Sequence, residues 1–346
     1  MEVKNRETKK KNNKTFLKVI IILVAIIAIC GGVIVGYISN KLSQINYKED
    51  EKENFEVEVN EGVNSEGYMN IALFGVDSRE NSYDNTRSDC IMIVSINEKT
   101  KKVKLASVYR DSYLKFPKKS FDKVTHAFAE GGPAYSISTL NTNLDLDISK
   151  YVAINFEVVL DAVDAVGGIN MEITSEETKY INPYIDEIEE VCGKKADRIT
   201  EAGTYNLNGV QALAYSRIRY TAGGDYKRTE RMRDVLMKTF EKAKKMNLAE
   251  LNNLADKILP EVSTNMSTIQ IISLASKAAQ YDIDESIGWP YEVRGYQPAS
   301  VWYAAPVNLE ENVKKLHKAL FDEEDYEVSS TVKNISNELI KKTGYK

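Results

Sequence analysis

The chain has 346 residues, 43% of them hydrophobic, with 46 Lys and Arg against 51 Asp and Glu and a net charge of −5 at pH 7. That balance excludes a wholly disordered chain and argues against nucleic-acid binding, which needs a basic surface along the phosphate backbone. Two histidines and three cysteines are too few for a zinc site of ordinary spacing, a disulfide framework or a histidine-activated thiol.

The first eighteen residues carry Lys4, Arg6, Lys9, Lys10, Lys11, Lys14 and Lys18 against two Glu, and Val19 to Ile38 follow without a charge. An uncharged run of this length crosses a hydrocarbon core of about 30 Å as one helix. The expectation is a basic tail at 1–18 in the cytoplasm and a transmembrane helix at 19–39. The rest then lies outside the cell, as the positive-inside rule requires. A cleaved signal peptide is the competing reading, but the run exceeds a normal h-region and no small-x-small site with a polar start follows it. The protein is thus expected at the cell membrane, single-pass, with the lipid bilayer as one partner. Gly32 and Gly36 form a small-xxx-small pair, which the ordinary frequency of glycine in membrane helices explains. Residues 40–68 hold eight Asp and Glu against three Lys and read as an acidic extracellular linker.

From Met69 the pattern turns globular. MNIALFGV (69–76), CIMIVSIN (90–97) and KKVKLASVYR (101–110) read as strands, with NEKTKK turning between the second and third. KVTHAFAEGGPAYSISTLNTNL reads as a loop through Gly131, Gly132 and Pro133, then a helix. YVAINF (151–156) and INMEI (169–173) read as strands on either side of a helix in EVVLDAVDAV, which stops at Gly167-Gly168. Residues 174–205 read as a polar, irregular excursion, LNGVQALAYSR as a helix, and 229–245 as an amphipathic helix. The expected fold class is α/β, with a core domain over 69–245 and a C-terminal helical part over 246–346 packed on it.

The charged motifs fall at strand ends. Asp77 follows the first strand, Asp89 precedes the second, and Arg110 ends the third, so adjacent strands can gather them at one rim of a sheet. Together with Arg87, Arg217, Arg219, Arg228 and Arg231 they are what a metal-bound diphosphate requires. Mg²⁺, or Mn²⁺ in its place, takes one or two carboxylates and completes its shell with water and substrate phosphate. Arginine forks match phosphate oxygens and stay charged. Asp77 and Asp89 are the candidate metal ligands, and Asp77, Asp89, Arg110 and Asp111 the candidate catalytic residues. Asp77 is the first choice for the base that takes a hydroxyl proton, with Asp111 and Asp225 as rivals. Arg217 and Arg219, on an extended segment, would face the same way. Arg233 reads as a surface charge, His126 as a structural hydrogen-bonding residue, Lys123 as equally a phosphate contact or a solvent-exposed lysine. Alone, Asp77 and Asp89 would pass for turn and cap residues.

In order, the motifs GVDSR…RSD, VYRDSY, KVTHAFAEGGP and NLNGVQALAYSRIRY…GDYKRTER, with the closing segment VKKLHKALFDEEDY, resemble the LytR-CpsA-Psr family of bacterial cell-wall ligases from Met69 to about Lys342. The resemblance implies a three-layer α-β-α domain with a mixed central sheet behind one transmembrane helix. It also implies a phosphotransferase that moves a glycosyl-phosphate from a polyprenyl-diphosphate-linked glycopolymer to peptidoglycan. Asp77 and Asp89 would be linked to magnesium. Arg87, Arg110, Arg217 and Arg219 would hold the diphosphate, with Arg228 or Arg231 completing the cage. The lipid tail would lie in an apolar tunnel, for which the faces of 134–143, 157–166 and 232–243 are candidates. Tyr109 and Cys90 depart from the family's usual proline and threonine without removing a charge. Two other functions use the same cage: a receptor that binds polyprenyl diphosphate without transfer, and a diphosphatase that lets water attack.

Overall fold

Three strands meet edge to edge where the sequence predicts them. The computed structural model describes residues 55–76, 83 and 85–346. The expected basic tail and membrane helix, and Asp77, lie outside the described residues; among those described, no helix is long and apolar enough to cross a membrane. The first half of the chain forms β1 (Tyr68–Val76), β2 (Ser88–Asn97), β3 (Lys102–Val108), β4 (Tyr113–Lys115), β5 (Phe121–Lys123), α1 (Val124–Leu144), β6 (Lys150–Ile154), α2 (Phe156–Ala165), β7 (Ile169–Ile173) and α3 (Thr178–Cys192). The second half forms β8 (Gly203–Leu207), α4 (Gly209–Arg217), α5 (Gly224–Ala243), α6 (Leu248–Ile258), β9 (Ser263–Thr264), α7 (Thr268–Ser276), β10 (Asp282–Trp289), β11 (Val293–Tyr296), β12 (Tyr303–Pro306), α8 (Leu309–Phe321) and α9 (Ser330–Thr343).

The main sheet has the order β10-β3-β2-β1-β6-β9. It is mixed, with β1–β2, β2–β3 and β6–β9 antiparallel and β1–β6 and β3–β10 parallel. Alternation along β1 sends Ala72, Phe74 and Val76 to one face and Ile71 and Leu73 to the other. The first face packs against Phe128, Ile137 and Leu140 of α1 and the apolar stripes of α8 and α9. The second packs against Leu236, Met237 and Phe240 of α5 and Leu274 of α7. A separate cluster joins α2, α3, α4 and the β7–β8 pair through Leu160, Ile181, Ile185 and Leu213.

Several elements differ from the reading of the sequence. The polar stretch 174–205 contains α3, a helix of 15 residues whose Ile181, Ile185 and Ile188 point inwards at helical spacing; Pro183 in its first turns hides the pattern. The supposed loop before Pro133 is already helical from Val124, broken only at Gly131 and at Gly132, where φ is +64° and a side chain would be strained. The C-terminal part is not purely helical, since β9 and β10 are sheet strands and β11–β12 a hairpin. Residues 55–67, at the end of the acidic linker, dock on the domain. Phe55 stacks on Tyr151 with ring centres 5.5 Å apart, and the Asn60 amide donates to Asp145 Oδ1 at 2.6 Å. Buried hydrogen bonds of this kind leave no trace in composition.

Candidate functional site

The register of the sheet creates the site. Gly75 pairs with Cys90 but Val76 pairs with Ser88, so Asp89 is the extra residue of a β-bulge. Bulges free a side chain from the pleat and re-aim it. Asp89 thereby leaves the alternation of β2 and points to the chain that follows β3. There Arg110 Nη1 donates to Asp89 Oδ1 at 2.6 Å. Arg219 Nη2 lies 3.8 Å from Asp89 Oδ2, and Arg228 Nη2 donates to the Asp89 carbonyl at 3.5 Å.

Two more carboxylates complete the ring of charge. Asp225, in the first turn of α5, sits 3.0 Å from Arg228 Nη2 and 3.9 Å from Arg219 Nε. Asp111 is held by Lys123 Nζ at 2.7 Å and lies 4.0 Å from Arg110 Nε. Lys123, at the junction of β5 and α1, is therefore a member of the group rather than solvent-exposed. Asp111 orients Arg110 and Lys123 from behind.

The positive charges are under-satisfied. Among the described residues, Arg110 Nε and Arg228 Nε are buried without a hydrogen-bond partner. Burial, opposed by Asp225 and seconded by the like charge of Arg219, pushes the Arg228 pKa down. A guanidinium does not lose its proton in a protein, so Arg228 keeps its charge. Guanidinium groups with donors left unfilled are what a phosphate group fits.

The other arginines are placed differently. Arg87 is exposed, one residue before β2. Arg217 closes α4 instead of lying on an extended segment, so the alternation with Arg219 is lost. Its guanidinium lies over Phe156 and Tyr184 and pairs with Glu187 at 2.9 Å. Arg231 is 1% exposed and fully engaged: Nε to Glu177 at 2.8 Å, Nη1 to the Ile218 carbonyl at 3.0 Å, Nη2 to Thr221 Oγ1 at 2.7 Å. It fastens the segment that carries Arg219 and does not offer its fork to a ligand. Arg233, read as a surface charge, is 8% exposed, because this part of α5 is covered by the sheet end. His126 pairs with Asp122 at 3.0 Å, a structural role.

Tyr109 fits where it departs from the family pattern because residue 288 is glycine. A Cβ there would lie 2.1 Å from the Tyr109 hydroxyl. The Tyr109 ring then meets Tyr226 edge-on at 4.5 Å, bracing the turn of α5 that carries Asp225 and Arg228.

An apolar passage opens beside Asp89. A neck of about 40 Å³ is walled by Gly75, Cys90, Phe156, Val159, Leu213 and Met232. Leu73 and Leu236 line both this neck and a chamber of about 420 Å³ bordered by Met92, Leu105, Met237, Phe240 and Leu274. The chamber lies between the sheet and α5, as expected for 232–243. Val159 alone represents 157–166 in the neck, and 134–143 belongs to the core on the opposite face. Burial pushes the Cys90 thiol up to about 11 against the pull of Arg228 and Arg233, so it stays protonated and is no nucleophile. Cys90 and Cys192 are both free.

The residues fit a magnesium ion of the substrate-bound kind. Among the described residues no three His, Cys, Asp or Glu side chains form a protein-only cage. Asp89, however, is a hard-oxygen donor whose side chain keeps 18% of its exposure, and one or two carboxylates plus phosphate oxygens suffice for Mg²⁺. Sequence reasoning missed Tyr180 and Tyr184 of α3, because the helix itself was missed; the isoleucine spacing was the available signal.

The model of the LytR_cpsA_psr family matches residues 33–318. The chain is 28% identical, over 87% of its length and 93% of the relative's, to "Polyisoprenyl-teichoic acid--peptidoglycan teichoic acid transferase TagT" of Bacillus subtilis (strain 168). It is 30% identical to the TagU transferase of the same description from Bacillus cereus (strain AH820), over 72% of this chain and 78% of that one. Among solved structures, "LytR-CPS2A-psr family protein YwtF (TagT) with bound octaprenyl pyrophosphate lipid" matches at 26% identity and a TM-score of 0.55, covering 74% of this chain and 91% of the other. Protein gbs0355 from Streptococcus agalactiae matches at 25% identity and a TM-score of 0.61, covering 82% and 94%.

Proposed function

The chain belongs to the LytR-CpsA-Psr family, and from that membership we propose that it is a membrane-anchored, extracellular phosphotransferase. It moves a glycopolymer, as its glycosyl-phosphate, from a polyprenyl-diphosphate carrier to peptidoglycan. The observation that carries the reading is the convergence of Arg110, Arg219 and Arg228 on Asp89 next to the neck of an apolar chamber. The cations take the diphosphate and the chamber takes the lipid. A cavity of about 150 Å³ accepts one benzene ring, so the chamber holds the first isoprene units and the rest of the chain runs on towards the bilayer. TagT and TagU are named as polyisoprenyl-teichoic acid–peptidoglycan teichoic acid transferases, and YwtF (TagT) is described with octaprenyl pyrophosphate lipid bound.

In the reaction, an acceptor hydroxyl oxygen attacks the phosphorus that bears the sugar. Its proton passes to a carboxylate, for which Asp77 is the first choice and Asp225 the described alternative. The bond to the lipid-side phosphate oxygen breaks, and polyprenyl phosphate leaves. Arg110, Arg219 and Arg228 neutralise charge on the phosphate oxygens, where transfer of this kind has its largest need. Arg87, exposed just before β2, would add a further cation; Arg231 and Asp111 position the others. Asp89, with Asp77, would hold a Mg²⁺ that neutralises diphosphate charge when bound.

The test uses the full-length protein in detergent micelles with a short polyprenyl-diphosphate oligosaccharide, Mg²⁺ and a peptidoglycan oligomer. Mass spectrometry should find the oligomer heavier by the glycosyl-phosphate, and Asp89→Ala should abolish that product. Glycosyl-phosphate released without the adduct would indicate a diphosphatase. Lipid that binds but stays unchanged would indicate a receptor.

A further inference from the structure

A second groove adjoins the neck. Its floor is Phe156, Leu160 and Leu213, two of which also wall the neck. It encloses about 590 Å³ and carries Glu157, Glu187 and Glu190 on its rim. Along α3, Tyr180, Tyr184 and Glu187 recur at intervals of four and three and so share one face. Arg217 is laid across that face, over the Tyr184 ring and paired to Glu187, leaving the rim with a net negative charge. Tyr220 lies beside the groove's lining and meets the α3 face that carries Glu187. It follows Arg219 directly, is 71% exposed, and approaches Tyr180 with ring centres 5.9 Å apart.

An exposed tyrosine set against a half-buried one, beside the cation cluster, offers flat, amphipathic faces. Pyranose rings present apolar C–H faces to such surfaces. The charge decides which of the two substrates lies here. A teichoic acid, the polymer named for the relatives, is phosphate-rich and would be repelled by the net negative rim. A peptidoglycan strand carries no phosphate and no charge along its sugars, and its peptide branches bring amino groups beside their carboxylates.

We propose that this groove is the acceptor site: Tyr220 and Tyr180 stack on the sugar nearest the transferred phosphate, and the acidic rim receives the amines of the stem peptide. The proposal rests on the transferase reading for its substrate, but its binding test does not need transfer to occur. Full-length protein in detergent is titrated with a peptidoglycan oligosaccharide bearing stem peptides, and separately with octaprenyl diphosphate. Tyr220→Ala, at a position too exposed to threaten folding, should weaken oligosaccharide binding about three- to tenfold. Tyr220→Trp should restore it, and Glu190→Lys should weaken it in a salt-dependent way. Octaprenyl diphosphate affinity should be the same in all. Equal oligosaccharide binding by wild type and Tyr220→Ala would overturn the proposal, as would weakened binding of the lipid-linked donor in place of the acceptor. Oligosaccharide bound through Tyr220 without any transfer would uphold the groove and sink the transferase reading instead.

Discussion

Arg228 and Arg231 stand three residues apart on α5 and each is 1% exposed, yet methionine at each position should damage a different property. Arg228 faces Asp225, whose side chain keeps 30% of its exposure, and its Nε has no partner among the described residues. Removing it leaves a carboxylate that water still reaches and deletes a charge that its surroundings disfavour. Replacing buried ionic groups by apolar ones of similar volume is often neutral or stabilising, so the melting temperature of Arg228→Met should hold or rise. Transfer should fall by about 10²–10³, the usual loss for one preorganised charge-stabilising donor. Arg231 instead answers Glu177, whose side chain is 5% exposed. Arg231→Met strands that carboxylate with only the Thr174 N–H and hydroxyl as donors. Breaking a buried pair costs about 3–5 kcal/mol; the surviving Thr174 bonds favour the lower figure. At about 2–4 °C per kcal/mol, the melting temperature should drop by about 6–12 °C. Calorimetry and initial rates on both variants decide the matter. If Arg228→Met melts as low as Arg231→Met, or transfers at the wild-type rate, the division between ligand-holding and structure-holding arginines is wrong.

Arg219 is 47% exposed with only long contacts, at 3.8 and 3.9 Å; Arg219→Ala should lose about 10²–10³ in transfer rate with a melting curve indistinguishable from wild type. Leu236 borders both neck and chamber, so Leu236→Trp should block octaprenyl diphosphate binding while the fold persists, as titration of the lipid against folded protein would show. Burial alone would raise the Glu177 pKa, but the Thr174 N–H, Arg231 and the Thr174 hydroxyl outweigh it and hold the carboxylate below its ordinary value. The resulting stability is present above the unfolded carboxylate pKa of about 4.3 and is lost as pH falls through the lower folded value. Wild type should therefore melt well above Glu177→Gln at pH 7, and the gap should close on acidification below about pH 4; a gap constant with pH would disprove the linkage.

The strands were legible because their evidence is local. In β1 the alternation that predicts a strand is the alternation that buries Phe74 on one face and Ile71 on the other. The charged motifs were legible for a similar reason: Asp89, Arg110 and Arg219 lie at the ends of periodic segments, where side chains are free of the core. The helix α3 was lost because Pro183 and surface acids masked three isoleucines that only helical spacing unites.

The sequence by itself determined that this chain carries clustered arginines and carboxylates on an α/β domain, since charge and periodicity are properties of residues in order. Only the tertiary structure decided which of the arginines gather around Asp89. Arg217, Arg228 and Arg231 carry the same charge within a short stretch of chain, but one helix end turns the first to Glu187, and packing gives the third to Glu177. The second pairs with Asp225 and reaches the carbonyl of Asp89, whose side chain a one-residue bulge in β2 aims at Arg110. Direction and partner arise from register and burial between segments far apart in the chain, and no local pattern encodes them.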